Sequence, residues 1–238
     1  MSTFVRVPRR TFLQYEGLIR QRVYTNPNPL VRWIFWRRLA SLLKFSREVR
    51  RKRALDFGCG EGAFLPSLCR SFVDVVGVDM DVTAAGALAR HYRLDNLSLV
   101  DAKAPHLPFA DGVFDFIVAA DVLEHLADLE PIVKELGRLL ASGGRLVVSA
   151  PSENFLYELG RKLFGFTKPE DHYHLPRDIE EELASRLELR HKRYLPLHLH
   201  EGVSAFVLLS FGKREGSGGA TPSAGWGSPK PATPKKPG

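Results

Sequence analysis

The sequence predicts an α/β fold: a doubly wound, mostly parallel seven-stranded sheet with an antiparallel hairpin at one edge, preceded by an N-terminal helical segment. The first observation is that residues 53–150 alternate between short apolar runs and helical patterns, as βαβ units do. The second is a late pair of strand-like segments. The first five strands are predicted at residues 54–57, 73–78, 97–100, 114–119 and 145–149.

The predicted helices separate these strands and continue beyond them. A Ser142-Gly143-Gly144 turn is predicted to end the third helix before the fifth strand begins. The last two strands, at 187–197 and 203–211, are joined by a short turn around Gly202 and form the edge hairpin. The helices are predicted at residues 62–71, 82–92, 121–141, 153–165 and 176–186.

Charge and composition divide the chain into three parts. Residues 1–53 hold 14 Lys and Arg against two Glu, so their net charge is +12. Because the whole chain has a net charge of +7, the remainder carries −5. We therefore predict a basic, aromatic-rich helical extension over 1–50 and a main domain over 51–212. Residues 213–238 are rich in Gly, Ser, Pro, Ala and Lys and are predicted to be disordered.

The helical pattern that starts at Leu30 has one polar stripe and a broad apolar surface. Such a helix is expected to bury a large face against the main domain. The stripe consists of Arg37, Ser41, Lys44 and Glu48, and the apolar set of Trp33, Ile34, Phe35, Trp36, Leu39, Leu42 and Leu43.

The two cysteines indicate a reducing compartment. Cys59 and Cys69 have no partner spacing typical of a metal site, so we predict reduced thiols in a cytoplasmic protein. The apolar runs are shorter than the ~20 residues that span a bilayer, and the first residues lack the pattern of a secretory signal.

A glycine-rich loop is the strongest functional signal. Asp56, Gly58, Gly60 and Gly62 follow a strand and open a helix, where glycine lets backbone amides approach a ligand. Gly58, Gly60 and Ala63 also satisfy the dinucleotide fingerprint. However, Asp56 would repel a pyrophosphate and attract an ammonium group, which argues against a dinucleotide.

Taken together, the motifs resemble those of class I S-adenosylmethionine-dependent methyltransferases, in the ubiquinone/menaquinone-biosynthesis-like branch. The resemblance is good over 53–150 and loose over 150–212, and it implies a Rossmann-like domain that binds S-adenosylmethionine. Residues 75–80, 107–126 and 139–146 resemble the second strand, the fourth-strand region and the turn into the fifth strand. The implied cofactor-binding residues are Asp56, Gly58, Gly60, Gly62, Asp79 (ribose hydroxyls), Met80 (adenine face), Asp101 and Ala102 (adenine edge) and Ala119.

Methyl transfer mainly needs orientation, but a hydroxyl or carbon acceptor also needs a base. The candidates are His125, after the fourth strand, and His172 and His174, where related enzymes have an active-site loop. For His125, a structural role as a helix residue with a local hydrogen bond is an alternative of at least equal weight. Two pairs of histidines lie at alternating positions, His172/His174 and His198/His200. No third ligand is evident for either pair, so no metal site is predicted.

The predicted function is methylation of a small or lipid-like acceptor. The alternatives are methylation of RNA or protein and binding of S-adenosylmethionine without catalysis.

In the resembling enzymes the N-terminal segment forms a lid, in which Arg32 is a candidate to bind the cofactor carboxylate or an acceptor anion. The basic extension also suggests peripheral attachment to an anionic membrane. Nucleic acid is less favoured, and the oligomeric state stays open.

Overall fold

The structure, a computed structural model, describes residues 4–18, 23–103, 105–152, 173–196 and 204–214. Four predictions lie outside these residues: the helix at 153–165, His172, the turn around Gly202 and the disorder of most of the tail. Within the described residues, no helix is long and apolar enough to cross a membrane.

A seven-stranded mixed sheet forms the centre of the molecule, in the order β3-β2-β1-β4-β5-β7-β6. Strands β1 to β5 are mutually parallel, whereas β7 runs antiparallel to both β5 and β6. This confirms the predicted doubly wound sheet with an antiparallel edge. The strands are β1 (Arg53–Phe57), β2 (Asp74–Asp79), β3 (Leu97–Asp101), β4 (Phe114–Ala120), β5 (Leu140–Pro151), β6 (Glu188–Leu195) and β7 (Phe206–Gly212).

Helices cover both faces of the sheet, and several are shorter than predicted. The helix expected at 62–71 is reduced to five residues, because the glycine loop occupies its first positions. The helices are α1 (Arg9–Leu13), α2 (Pro29–Lys44), α3 (Leu65–Cys69), α4 (Thr83–Tyr92), α5 (Glu130–Leu139) and α6 (Pro176–Arg186). One-turn 3₁₀ helices occur at Glu16–Leu18, Phe45–Glu48 and Leu123–His125.

The two faces of the sheet have separate apolar cores. One packs α5 and α6 against the strands through fully buried side chains such as Leu136 and Leu183. The other packs α3, α4 and the N-terminal segment through Leu65, Trp36 and Phe12. The N-terminal segment is therefore part of the folded unit, since it covers one face of the sheet.

The helix predicted over 121–141 is wrong in its first half. Asp121 has a left-handed backbone (φ 52°), which ends any helical continuation from β4. Leu123–His125 then forms a single 3₁₀ turn, and α5 begins only at Glu130, with Pro131 in its first turn. The residues after β4 thus turn across the carboxyl edge of the sheet.

The predicted turn at Ser142-Gly143-Gly144 is also different in the structure. These residues lie within β5 at an irregularity in its pairing with β4, where Phe114 pairs with Leu140 but Phe116 pairs with Arg145. Gly143 has φ 74°, a conformation that glycine adopts without strain. The strand therefore begins five residues earlier than expected.

Helix α2 begins with a regular cap. The Asn28 side chain accepts a hydrogen bond from the Leu30 amide at 2.9 Å, and Pro29 occupies the first helical turn. Three side chains differ from the predicted pattern: Trp33 is 42% exposed, whereas the cationic Arg38 is only 3% exposed and Ser41 of the polar stripe is buried. The apolar face is therefore interrupted by a buried charge.

Candidate active site

A cavity of about 690 Å³ opens at the carboxyl edge of the parallel strands. This volume lies within the range of small-molecule sites, and this edge is where open α/β sheets bind their ligands. Its walls come from the segments after β1, β2, β3 and β4, and from the N-terminal segment, which contributes Tyr24, Arg38 and Leu39. The predicted helical extension thus forms part of the cavity wall.

The glycine loop forms the floor of this cavity. Gly58, Gly60 and Gly62 all have positive φ, at 74°, 50° and 78°. A Cβ atom at Gly58 would lie 2.5 Å from Val122 Cγ2, whereas one at Gly60 would meet no atom within 4 Å. Gly58 is therefore needed for close packing against the segment after β4, and Gly60 leaves open space beside the backbone.

Asp79 lies at the carboxyl end of β2 and lines the cavity. One of its carboxylate oxygens accepts from the Gly60 amide at 2.8 Å, and the other from the Asp81 amide at 3.2 Å. Neither oxygen of Asp79 bonds to α4 itself; just before that helix, the Asp81 side chain accepts from the Thr83 amide at 3.0 Å. Because each oxygen has a second lone pair, Asp79 can still accept from two hydroxyl groups.

The remaining predicted cofactor residues lie at different depths. Met80 lines the cavity and is 64% exposed, and Ala102 also lines it. Asp101 ends β3 beside Asp79, but its side chain is exposed and outside the cavity lining. Ala119 is fully buried in β4, with Ala120 and Asp121 forming the wall in its place.

Asp56 lies at the carboxyl end of β1 and is 3% exposed. Burial, followed by the negative charge of Asp79, raises the pKa of Asp56 to about 7, although the cation Arg38 opposes the shift. Burial therefore favours the protonated form of Asp56, and a cation bound beside it would favour the ionised carboxylate.

Arg38 is a candidate functional residue that the sequence did not single out, since it lines the cavity. Its guanidinium forms an ion pair with Asp121, and Nη2 donates to the Tyr24 hydroxyl at 3.2 Å. The Nε atom is buried and has no hydrogen-bond partner among the described residues. Nothing in the helical pattern distinguishes Arg38 from its neighbour Arg37; only the packing of α2 does.

Arg32, the arginine singled out from the sequence, has a different position. Its Nη1 donates to the backbone carbonyls of Asn26 and Pro27, so it holds the chain before α2. Arg32 does not line the cavity. The predicted anion-binding role of Arg32 is therefore unsupported, and Arg38 is the arginine in the cavity wall.

The histidines predicted as bases are only partly brought together. His125 lines the cavity. The Tyr173 amide donates to the Glu124 carbonyl at 2.8 Å, which places the segment of His174 beside that of His125. His174 Nε2 is buried without a hydrogen-bond partner in the described part of the chain, but His174 is not in the cavity lining. Among the described residues, no cluster of three potential metal ligands occurs.

Comparison with known proteins identifies the domain that carries this site. Residues 55–148 match the family model Methyltransf_11, described as a methyltransferase domain. The chain is 33% identical over 109 residues to the ubiquinone biosynthesis O-methyltransferase of Psychrobacter cryohalolentis, a match that covers 43% of this chain and 42% of that protein. It is 35% identical over 115 residues to the demethylmenaquinone methyltransferase of Thermus thermophilus, covering 48% and 52%. The chain thus spans about half the length of these relatives.

Solved structures share the fold. The N-methyltransferase NodS of Bradyrhizobium japonicum WM9, in complex with S-adenosyl-L-homocysteine, superposes with a TM-score of 0.62 at 21% identity, covering 88% of this chain and 100% of NodS. The PH0226 protein of Pyrococcus horikoshii OT3 gives a TM-score of 0.65 at 20% identity, covering 84% and 99%. The strand order, the glycine loop and the family match agree: residues 55–148 form a methyltransferase domain similar to those of the class I S-adenosylmethionine-dependent methyltransferases.

Proposed function

We propose that this protein transfers a methyl group from S-adenosylmethionine to a small or lipid-like acceptor. The observation that carries the proposal is the presence of two opposite charges in the wall of one cavity. Arg38 and Asp56 are both buried, and both line it. A cation and an anion in the same cavity are complementary to the carboxylate and ammonium groups of an amino acid, which form one end of S-adenosylmethionine.

The other residues of the cavity fit the rest of the donor. Asp79 has lone pairs for the two ribose hydroxyls, and Met80 offers a polarizable surface to the adenine ring. Ala102 lines the cavity, and we propose that its backbone contacts the adenine edge. Gly60 leaves room for a ligand close to the loop, since a Cβ there would face open space. The roles of Asp101 and Ala119 stay predictions, because neither side chain lines the cavity.

The donor supplies an already activated methyl group, so the protein's task is to bind, orient and exclude water. Tyr24 and Leu39 close one side of the cavity, and both are buried. A hydroxyl acceptor must also lose a proton. We propose His125 as the first candidate for this step because it lines the cavity; His174 and His172 stay alternatives.

The acceptor class is inferred from the curated relatives. Their names include ubiquinone biosynthesis O-methyltransferase, demethylmenaquinone methyltransferase and tocopherol O-methyltransferase. These names support a small, partly apolar acceptor for this chain as well. RNA or protein methylation and binding without catalysis stay alternatives, and a cytoplasmic location stays a prediction.

Calorimetry with S-adenosylmethionine and NAD tests the donor. We expect micromolar affinity for S-adenosylmethionine, about −8 kcal/mol, and weaker binding of NAD. Asp79→Ala should weaken binding by roughly 10- to 100-fold, because hydrogen bonds to a charged group are lost. Asp74→Ala is the matched control, since Asp74 lies at the opposite end of the same strand.

A labelled-donor assay then tests the reaction. Label should pass from S-adenosylmethionine to phenolic or quinol acceptors but not to bulk RNA or protein. Tighter binding of NAD than of S-adenosylmethionine would refute the donor, and label in RNA or protein alone would refute the acceptor class.

The raised pKa of Asp56 predicts opposite effects of pH on ligand affinity and on stability. Below about pH 7 Asp56 is protonated in the folded protein and cannot pair with an ammonium group. The affinity for S-adenosylhomocysteine should therefore rise by up to about tenfold per pH unit toward pH 7 and then level off. Without ligand, the folded protein binds the Asp56 proton more tightly than the unfolded chain does, so protonation raises the free energy of unfolding. This contribution is complete below about pH 4, the ordinary pKa of an aspartate, and is lost as the pH rises to about 7.

The Asp56→Asn variant is the control for this pH dependence. Its affinity and its free energy of unfolding should both lose the Asp56-dependent slope, because asparagine does not titrate. Calorimetry and denaturant melts across this pH range measure the two quantities. An unchanged slope in Asp56→Asn would assign the titration to another group in the cavity.

We retain membrane attachment by the N-terminal segment as a prediction, supported by one surface of α2. Leu30 and Trp33 lie three residues apart on this helix and are 49% and 42% exposed. The Arg37 guanidinium lies 5.4 Å from the centre of the Trp33 ring, which adds a cation to the same surface. Exposed apolar groups beside cations suit an anionic bilayer.

Vesicle sedimentation tests this surface. Deletion of residues 1–48 is unsuitable, because it removes Phe12, Trp36 and Leu39 from the core. We expect Trp33→Gln to reduce binding to anionic vesicles, with no binding to neutral ones. The basic residues 50–52 precede β1, so they lie at the opposite edge of the sheet from the cavity. Absence of binding to anionic vesicles at low salt would refute the membrane role.

A further inference from the structure

A continuous array of polar side chains crosses the wall of the cavity beside the glycine loop. It consists of Tyr24, Arg38, Asp121 and Ser149, which come from four separate segments. Tyr24 accepts from Arg38 Nη2, Arg38 forms the ion pair with Asp121, and the Ser149 hydroxyl donates to Asp121 Oδ1 at 2.8 Å. Three of the four line the cavity, and Ser149 lies behind it, fully buried in β5.

Asp121 is held rigidly in this array. It is the residue after β4 and has φ 52°, a conformation that aspartate tolerates better than most residues. Its amide donates to the Ser149 carbonyl at 3.0 Å, and its side chain accepts from the Ser149 hydroxyl. Backbone and side chain are thus both fixed to β5, so the position of the carboxylate is determined by the sheet.

Arg38 depends on this carboxylate. Its guanidinium carbon lies 5.1 Å from the centre of the Phe35 ring and 5.0 Å from that of Phe206. These rings favour a cation only moderately, and a buried cation without an anion is costly. With Asp121 and Tyr24 fixing the two Nη atoms, the Nε–H remains as a donor without a partner among the residues that the structure describes.

We propose that Asp121 is a positioning residue, which holds Arg38 so that the guanidinium binds the carboxylate of the methyl donor. Asp121 acts through Arg38 and does not itself pair with the ammonium group of the ligand. Ser149 supports the same function one step further away. This inference rests on the proposed donor and adds the residues that determine the geometry of its anionic end.

Three ligands distinguish this role from a structural one. S-adenosylhomocysteine carries both an amine and a carboxylate, its decarboxylated analogue carries only the amine, and methylthioadenosine carries neither. In Asp121→Asn we expect S-adenosylhomocysteine to bind roughly 10- to 100-fold more weakly, because a charge-assisted contact is lost. The other two ligands should bind within about twofold of wild type, since Arg38 does not contact them.

Ser149→Ala gives a second, milder variant in case Asp121→Asn folds poorly. It should weaken S-adenosylhomocysteine alone, by several-fold, or about 1 kcal/mol. Ser210→Ala is the matched control: Ser210 is a fully buried serine on the neighbouring strand β7, and its hydroxyl has no hydrogen-bond partner among the described residues. It should leave all three affinities unchanged.

Two results would overturn the positioning role. Equal weakening of all three ligands by Asp121→Asn would mean that Asp121 only maintains the fold. Weakening of both amine-bearing ligands would mean that Asp121 contacts the ammonium group directly. If the wild-type protein does not bind S-adenosylhomocysteine, the proposed donor fails, and that outcome is distinct from both.

Discussion

Replacing Arg38 by methionine should lower the free energy of unfolding by about 3–5 kcal/mol. The change preserves most of the apolar volume of the side chain but leaves Asp121 without its counter-ion. Within the described part of the chain, the Asp121 carboxylate would then retain its hydrogen bond from Ser149 but no cation, inside a mostly buried wall. For a protein of this size the expected loss in melting temperature is on the order of 10 °C. Thermal melts and urea unfolding measure both quantities.

The double variant Arg38→Met/Asp121→Asn is the decisive comparison. Asparagine tolerates the left-handed backbone at position 121 and carries no charge, so most of the lost stability should return. Arg47→Met serves as the control for removing an arginine, because Arg47 is exposed. It should change stability by less than about 0.5 kcal/mol. A double variant no more stable than Arg38→Met would show that packing, and not the unpaired charge, causes the loss.

Gly58→Ala should reduce the affinity for S-adenosylmethionine by about 100-fold or more. The new Cβ would lie 2.5 Å from Val122 Cγ2 and 2.7 Å from Val122 Cβ, so the loop or the segment after β4 must move. Alanine at φ 74° adds a strain of roughly 1–2 kcal/mol. Both effects displace the amides that form the floor of the cavity. Calorimetry with S-adenosylmethionine measures the loss.

The contribution of the collision can be separated from that of backbone strain. Gly58→Ala/Val122→Ala removes the atoms that the new methyl group would meet, and should therefore recover part of the affinity. Val122→Ala alone provides the baseline. A Gly58→Ala protein that binds S-adenosylmethionine as tightly as wild type would contradict the view that this glycine is required at the floor of the site.

The sheet and the glycine loop were predictable because their signals are local. Apolar strands that alternate with helical segments allow few arrangements, and the predicted strand segments coincide with β1 to β7 within a few residues at most ends. Asp56, Gly58, Gly60 and Asp79 belong to segments where a strand ends and the chain turns. Parallel strands bring such ends to one edge, and the cavity is lined by these four residues.

Local patterns failed where backbone geometry or packing between distant segments decides. Residues 121–129 have a helical composition, but the left-handed Asp121 is fixed by its bonds to Ser149, which lies 28 positions away. Residues 141–144 resemble a turn, but their place within β5 follows from pairing with β4. A short stretch of sequence around either segment does not include the residues it pairs with, Ser149 in the first case and β4 in the second.

The sequence by itself determined the succession of strands and helices along the chain, the glycine loop and the resemblance to the family, because each depends on residues close together along the chain. Only the tertiary structure decided which arginine belongs to the site. Arg32 and Arg38 lie on the same helix, but the first is held by the carbonyls before it and the second is packed between Phe35 and Phe206 against Asp121. The docking of α2 onto the sheet makes that choice, since a buried cation is stable only where an anion is already fixed.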